Sequence, residues 1–291
     1  MNSTSQFLKT RPFVEGATPY LRALVVGSLL TYLYFPVLNG IVAEWWNNAN
    51  YSYGFLIPIV SLVMLWNRRK EFQVIQVSPE FRGAWLFSFG LFMYLAGIAG
   101  KEEFIQRFSF PITLLGLVYL LYGKSAALSA LFPIGYSYFM IPLPSIIFSN
   151  MTLYLQLLDA KVVAVVASLL GVPVFREDFV LHLPEISLKV AEACGGAFSV
   201  IAFLALGVFY THELKLKRPA KIFLWLMLIP LAVISNIIRI LVIVLVSFYS
   251  GDWVLRSSIH LLSGVFNFLV DFGVLVFIAK LLEKSPKQDH S

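Results

Sequence analysis

The sequence is poor in charge and in cysteine. Charged residues make up 13% of the 291 residues and hydrophobic residues 59%, whereas a soluble domain is about a quarter charged and about half apolar. The only cysteine, Cys194, excludes an internal disulfide and a metal site built from several cysteines. Internal repeats and low-complexity segments are absent as well. These absences exclude a soluble globular enzyme, a disulfide-rich secreted domain and a repeat protein.

Long apolar runs take the place of the missing charge. Runs of about 18 or more apolar residues can cross a hydrocarbon layer of about 30 Å as helices, and lipid requires the internal hydrogen bonds of a helix. The predicted spans are 21–43, 53–67, 82–100, 104–122, 125–147, 195–212, 221–249 and 257–282. The sequence therefore predicts an all-α polytopic membrane protein, with about eight transmembrane helices in one integral membrane domain over residues 1–291.

The net charge of the chain is +6. Its basic residues are distributed as in a membrane protein and not as on a nucleic-acid-binding surface. Basic clusters lie in the loops 68–70 and 215–221. With a cytoplasmic N-terminus and eight alternating spans, most of the 22 Lys and Arg lie on the inner side, as the positive-inside rule requires. This predicts a multi-pass protein of the plasma (inner) membrane, with both termini inside, and no role in nucleic-acid binding.

Residues 148–194 form the only long stretch between predicted spans. Residues 150–172 are apolar but carry Asp159 and Lys161 at their centre. A further crossing here would turn the basic loop 215–221 outward, so this stretch is predicted to be an amphipathic helix on the outer side, either interfacial or packed against the bundle.

The residues that follow this helix alternate as in a strand. Ile186, Leu188 and Val190 alternate with more polar residues, and Pro184 marks a turn. A short β-hairpin-like segment on the outer side is therefore expected to lead into Cys194.

Three spans bring reactive side chains to the outer side. Cys194 opens the sixth span, Arg239 lies in the outer part of the seventh, and His260 lies in the first turn of the eighth. Asn236 shares a helical face with Arg239 because it lies three residues earlier. Each residue alone has a structural interpretation, as an apolar filler, a snorkelling cation or an interfacial ring. Their convergence at one depth favours a shared site.

Acyl transfer is the chemistry that needs this set. A thiolate attacks a peptide carbonyl while an imidazole moves the proton, and a nearby cation stabilises the thiolate and the oxyanion. Gly195 and Gly196 leave room for a substrate backbone beside the thiol. No cofactor and no metal are expected, since His182 has no partners at ligand spacing.

These residues resemble the exosortase/archaeosortase family of membrane transpeptidases. The family pattern E-A-C-S-G is similar to Glu192–Gly196, and Asn-x-x-Arg and a later His match Asn236, Arg239 and His260. Gly195 stands where the family usually has Ser, and Tyr53 where it has His. Further similar stretches are VFRED at 174–178, SYGFLIP at 52–58 and MIPLP at 140–144.

The resemblance implies a membrane cysteine peptidase. Its partners would be exported, membrane-tethered proteins that end in a sorting signal, made of a Pro-Glu-Pro-like motif, a transmembrane helix and a basic tail. It would cleave this signal through an acyl-enzyme and transfer the protein to a surface acceptor linked to exopolysaccharide. The alternative is a transporter or polysaccharide-export subunit with Arg239 and Asp271 lining a path, although matching interrupted halves are absent. Asp271 has a second interpretation, a hydrogen bond between helices.

Overall fold

The computed structural model describes most of the chain. It covers residues 17–190, 197–251 and 257–284, and at 17–23, 197–199, 257–262 and 284 it describes the helical backbone alone. Within these residues, seven helical segments are long and apolar enough to cross a membrane: Leu24–Asn47, Ala49–Asn67, Arg82–Ala99, Glu103–Tyr122, Ser145–Leu169, Arg218–Ser250 and Ser263–Glu283. A shorter apolar helix covers Val200–Glu213. The predicted all-α polytopic class is therefore confirmed.

The chain packs as two compact units, Met1–Leu143 and Pro144–Ser291. The helices of the first unit are α1 (Ala17–Asn47), α2 (Leu56–Asn67), α3 (Arg69–Val74), α4 (Arg82–Ala99), α5 (Glu103–Tyr122) and α6 (Lys124–Tyr136). The second unit contains α7 (Ser145–Leu169), β1 (Phe175–Glu177), β2 (Val180–His182), β3 (Ser187–Lys189), α8 (Ala197–Glu213), α9 (Arg218–Ser250) and α10 (Ser257–Lys284). The prediction of a single domain over 1–291 stays a prediction.

Helices α4 and α5 of the first unit pack backbone against backbone. Gly83, Gly90 and Gly97 repeat every two helical turns, so they share one face of α4. A Cβ at any of the three would lie closer than 3.0 Å to backbone atoms of α5. Gly116 of α5 meets the backbone at Phe87 of α4 in the same way. Small residues at such spacing allow the close approach on which helix packing in lipid depends.

Helix α1 joins this pair through buried polar contacts. The Tyr34 hydroxyl lies 2.9 Å from Ser109 Oγ and 2.7 Å from Thr113 Oγ1 of α5, and the Tyr34 side chain is fully buried. Near the C-terminal end of α1, Trp45 Nε1 donates a 2.9 Å hydrogen bond to the Met140 carbonyl. Gly54 packs against the Trp45 indole, where a Cβ would clash. Trp45 therefore connects the stretch SYGFLIP to the start of MIPLP.

The region after α5 differs from the sequence prediction of a span over 125–147 and a non-crossing helix over 150–172. Helix α6 ends at Tyr136, a 3-10 turn covers Ser137–Met140, and α7 begins at Ser145. Pro142 and Pro144 explain the break, because proline lacks the N–H of a helix and holds the preceding residue extended. Helix α7 has 25 residues, about 37 Å at 1.5 Å per residue, and is a candidate span itself.

The prediction that residues 150–172 do not cross rested on the distribution of basic loops, and the polar pair at the centre of α7 was in keeping with it. Lys161 is exposed, but Asp159 is 1% exposed and accepts a hydrogen bond from Asn236 of α9. A charged residue in a membrane helix is tolerated when it faces the bundle and finds a partner. The pair therefore marks a helix contact and does not require an aqueous surface.

The three strands form an antiparallel sheet with the order β1-β2-β3. Leu181 of β2 pairs with Leu188 of β3, and both side chains are buried. They join a core cluster that includes Val163 of α7 and Val244 of α9. The turn between β2 and β3 contains Pro184, so the hairpin-like segment expected from the alternation is confirmed; β1 adds a third strand.

The sheet lies at the C-terminal ends of both α7 and α9. Helix α7 leads directly into β1, and the turn Leu183–Ile186 lines one cavity together with Ser247 and Gly251 at the end of α9. Lower down, Asp159 of α7 bonds to Asn236 of α9. The two helices therefore run in the same direction, with α8 returning between them.

Candidate active site

Helices α8, α9 and α10 pack together around one apolar core of the second unit. Phe203 of α8, Leu224 and Leu228 of α9, and Leu275 of α10 are all buried in this cluster. Since consecutive helices in this group run in opposite directions, the N-terminal ends of α8 and α10 meet the C-terminal half of α9, which contains Arg239.

Contacts between α8 and α9 fix their register. Trp225 Nε1 donates a 2.6 Å hydrogen bond to Thr211 Oγ1. Gly207 lies against Leu228, where a Cβ would clash with the leucine side chain. Continued along the antiparallel pair, this register brings Ala197, the first residue of α8, to the level of Arg239.

Contacts between α9 and α10 place the Arg239 side chain. Its Nε donates a hydrogen bond to Ser263 Oγ at 3.1 Å. A Cβ added to Gly264 would lie 3.4 Å from Nη2 and 3.6 Å from Cζ of Arg239, so the guanidinium lies beside Gly264 with room for about a methyl group between them. Arg239, the cation of α9 that is predicted to stabilise an oxyanion, is therefore held against the second turn of α10.

A second polar contact lies one turn further along the same interface. Ser235 Oγ donates a 2.9 Å hydrogen bond to Asn267 Oδ1, and Asn267 Nδ2 lies 3.4 Å from Asp271 Oδ2. Asp271 is 5% exposed. Asp271 therefore takes part in a network that connects α9 to α10, in keeping with its interpretation as a helix-helix contact.

Asn236 faces α7. Its Nδ2 donates a 2.7 Å hydrogen bond to Asp159 Oδ2, and both side chains are at least 95% buried, since they are 5% and 1% exposed. Among the described residues, Asp159 Oδ1 has no hydrogen-bond partner. Asn236 and Arg239 thus connect one stretch of α9 to two different helices.

The other predicted site residues lie at or beyond the edges of the described ranges. Glu192, Cys194, Gly195 and Gly196 fall outside the described residues, and α8 begins at Ala197. His260 lies in α10 one turn before Ser263, and the structure describes its backbone alone. The catalytic roles of these residues and of Arg239 stay predictions.

Two contact residues, Ser263 and Asp159, were not selected from the sequence. Ser263 follows His260 by three residues, so helical periodicity already assigns it to the His260 face. Asp159 is an ionisable residue in an apolar helix, which is itself a signal of function or pairing. Neither partner could be identified without the register between helices.

His182 has a structural position in the sheet. Its Nδ1 lies 2.8 Å from Ser187 Oγ and its Nε2 3.1 Å from Glu177 Oε2, so the ring joins all three strands. Within the described residues, no group of three or more His, Cys, Asp and Glu could hold a metal ion.

Comparison with known proteins gives one match. A family model described as a transmembrane exosortase matches residues 45–277, a range that contains all seven predicted site residues and both of their newly found partners. No curated protein and no solved structure matches the chain.

Proposed function

Because this chain belongs to the transmembrane exosortase family, whose members are membrane cysteine transpeptidases, we propose that it cleaves a C-terminal sorting signal through Cys194. The substrate is an exported protein that ends in a Pro-Glu-Pro-like motif, a transmembrane helix and a basic tail. The cleaved protein passes to an acceptor on the outer surface that is linked to exopolysaccharide.

The observation that carries the proposal is the Nε–H hydrogen bond from Arg239 to Ser263. It holds a permanent cation one turn from residue 260 on α10, at the level where α8 begins three residues after Cys194. A cation held in an apolar helix at such a level supports a charge-stabilising role, because its donors are already oriented before reaction.

The reaction proceeds in two steps. The Cys194 thiolate attacks the scissile carbonyl carbon, and the resulting oxyanion is stabilised by Arg239. The C–N bond then breaks, the leaving amine takes a proton from the His260 imidazolium, and a thioester remains. In the second step an acceptor nucleophile loses its proton to His260, attacks the thioester and releases the thiolate.

Charge supports an outward orientation of this site. The basic loop with Lys215 and Lys217 lies at the N-terminal end of α9, and the sheet lies at its C-terminal end. The positive-inside rule assigns the basic loop to the cytoplasm. The proposed site, in the half of α9 nearer the sheet, therefore faces the outside of the plasma membrane.

Trapping the acyl-enzyme tests this function. The purified protein in proteoliposomes is mixed with a fusion protein that carries the sorting signal, and the products are analysed by intact mass spectrometry. We expect a covalent adduct that hydroxylamine releases, and no cleavage by Cys194→Ala or Cys194→Ser. Ordinary turnover by the Ser variant would contradict the mechanism, and unchanged processing by the Ala variant would favour a transporter.

A further inference from the structure

The residue that holds the Arg239 side chain has a role of its own. We propose that Ser263 is a positioning residue: by accepting the hydrogen bond from Nε, it turns the guanidinium so that the two Nη groups face the reacting carbonyl. This inference rests on the proposed function, in which Arg239 stabilises the oxyanion.

The geometry of arginine makes one bond decisive. The guanidinium is planar and presents its five N–H donors in fixed directions. The hydrogen bond from Nε to Ser263 Oγ, 3.1 Å long, fixes one edge of the plane. Gly264, where an added Cβ would lie 3.4 to 3.6 Å from the guanidinium atoms, leaves the guanidinium room beside α10. With one edge fixed by the serine, the directions of the remaining N–H donors are restricted.

The choice of serine suits this task. A hydroxyl can accept the Nε–H bond without carrying a charge, so it orients the guanidinium and leaves the positive charge for the oxyanion. A carboxylate at the same position would orient Arg239 equally well but would neutralise it. Ser263 therefore orients the guanidinium without reducing its net positive charge.

The same interface supplies a matched control. Ser235 and Asn267 form a 2.9 Å hydrogen bond between α9 and α10, one turn from the Arg239–Ser263 pair. Loss of the Ser235 hydroxyl weakens the contact between the same two helices and leaves the guanidinium untouched. Comparison of variants at the two serines thus distinguishes an effect on the orientation of Arg239 from an effect on the packing of α9 against α10.

The test compares Ser263→Ala, Ser263→Thr and Ser235→Ala in the proteoliposome assay, with thermal unfolding of each variant measured in detergent. We expect Ser263→Ala to lower kcat about tenfold with KM unchanged, because the bond acts on the transition state. Ser263→Thr, which keeps the hydroxyl, should retain the wild-type rate. Ser235→Ala should lower the unfolding midpoint as much as Ser263→Ala does and retain the wild-type kcat.

The decisive measurement repeats Ser263→Ala in an Arg239→Lys background. Lysine has a carbon in place of Nε and no planar group for the serine to orient, so the tenfold effect should disappear in single-turnover thioester formation. An effect of the same size in both backgrounds, or an equal loss of kcat in Ser235→Ala, would show a purely structural role for Ser263. Failure of wild-type protein to form an adduct would instead contradict the proposed function, so the two failures are distinguishable.

Discussion

At the scale of residues, a single guanidinium interrupts the long apolar run of α9. Placing an arginine at the centre of a membrane helix costs about 2.5–3.5 kcal/mol on insertion scales. The hydrogen bond to Ser263 offsets part of this cost. A lysine would not make this bond in the same way, since its ammonium is a compact charge on a flexible stem.

We therefore expect Arg239→Lys to fold and insert normally but to form the thioester at least about tenfold more slowly. Loss of one donor to an oxyanion costs about 2.7–4 kcal/mol, which would correspond to about a hundredfold or more in rate. The measurement is the single-turnover rate at equal amounts of membrane-inserted protein. Arg176→Lys, on exposed β1, is the matched control and should react at the wild-type rate. Near-normal rates for Arg239→Lys would reduce the role of Arg239 to its positive charge or to a structural contribution, because lysine keeps the charge.

At the scale of elements, one buried hydrogen bond joins α7 to α9. Asp159 and Asn236 are both buried, and the bond between them is 2.7 Å long. A hydrogen bond between membrane helices contributes about 0.6 kcal/mol on average. Removal of one partner costs more, about 1–3 kcal/mol, because the other stays buried without this hydrogen bond.

Asp159→Ala should accordingly lower the free energy of unfolding by about 1–3 kcal/mol, since the Asn236 donor is left without its acceptor. Asp159→Asn keeps an oxygen for that donor and should lie between Asp159→Ala and the wild type. Thermal or denaturant unfolding in detergent provides the comparison, with Lys161→Ala on the exposed face of α7 as control. Equal stability of Asp159→Ala and the control would show that the contact does not stabilise the packing of α7.

The sequence predicts the elements of this unit better than their contacts. Alternation from Ile186 to Val190 predicts the hairpin, and the spacing of Asn236 and Arg239 predicts a shared face, since both are local patterns. The partner of Asp159 at the centre of α7 was not predicted, because it is a residue 77 positions away in the chain. Ser263 was missed for the same reason, as its partner is set by the register of α9 on α10.

At the scale of the whole molecule, the direction of α7 and α9 bears on the side of the membrane that the proposed site faces. Both helices run from the side of the basic loop to the side of the sheet. The compartment that contains the sheet therefore also contains the C-terminal ends of α7 and α9. The positive-inside rule assigns that compartment to the outside.

Labelling of introduced cysteines checks this orientation in a Cys194→Ala background. We expect Phe175→Cys, at a position 69% exposed on β1, to react with a membrane-impermeant maleimide added to intact cells. Lys217→Cys, in the basic loop, should react after the membrane is permeabilised and not before. The reverse pattern would place the sheet in the cytoplasm and would contradict the assignment of the site to the outer surface.

Gly264 has a consequence for how α9 and α10 assemble. Ser263, Asn267 and Asp271 repeat every four residues along α10, so a slide by one turn would offer Asn267 to Arg239 in place of Ser263. Hydrogen bonding alone would not distinguish this misaligned pairing from the native one, although the slide would displace His260 by about 6 Å along the helix axis. In the misaligned pairing, however, Phe268 would occupy the place of Gly264, where a Cβ alone already reaches van der Waals contact with the guanidinium, so the phenylalanine ring would need additional room. The absence of a side chain at Gly264 thus favours the native alignment of α9 and α10 over the alignment displaced by one turn.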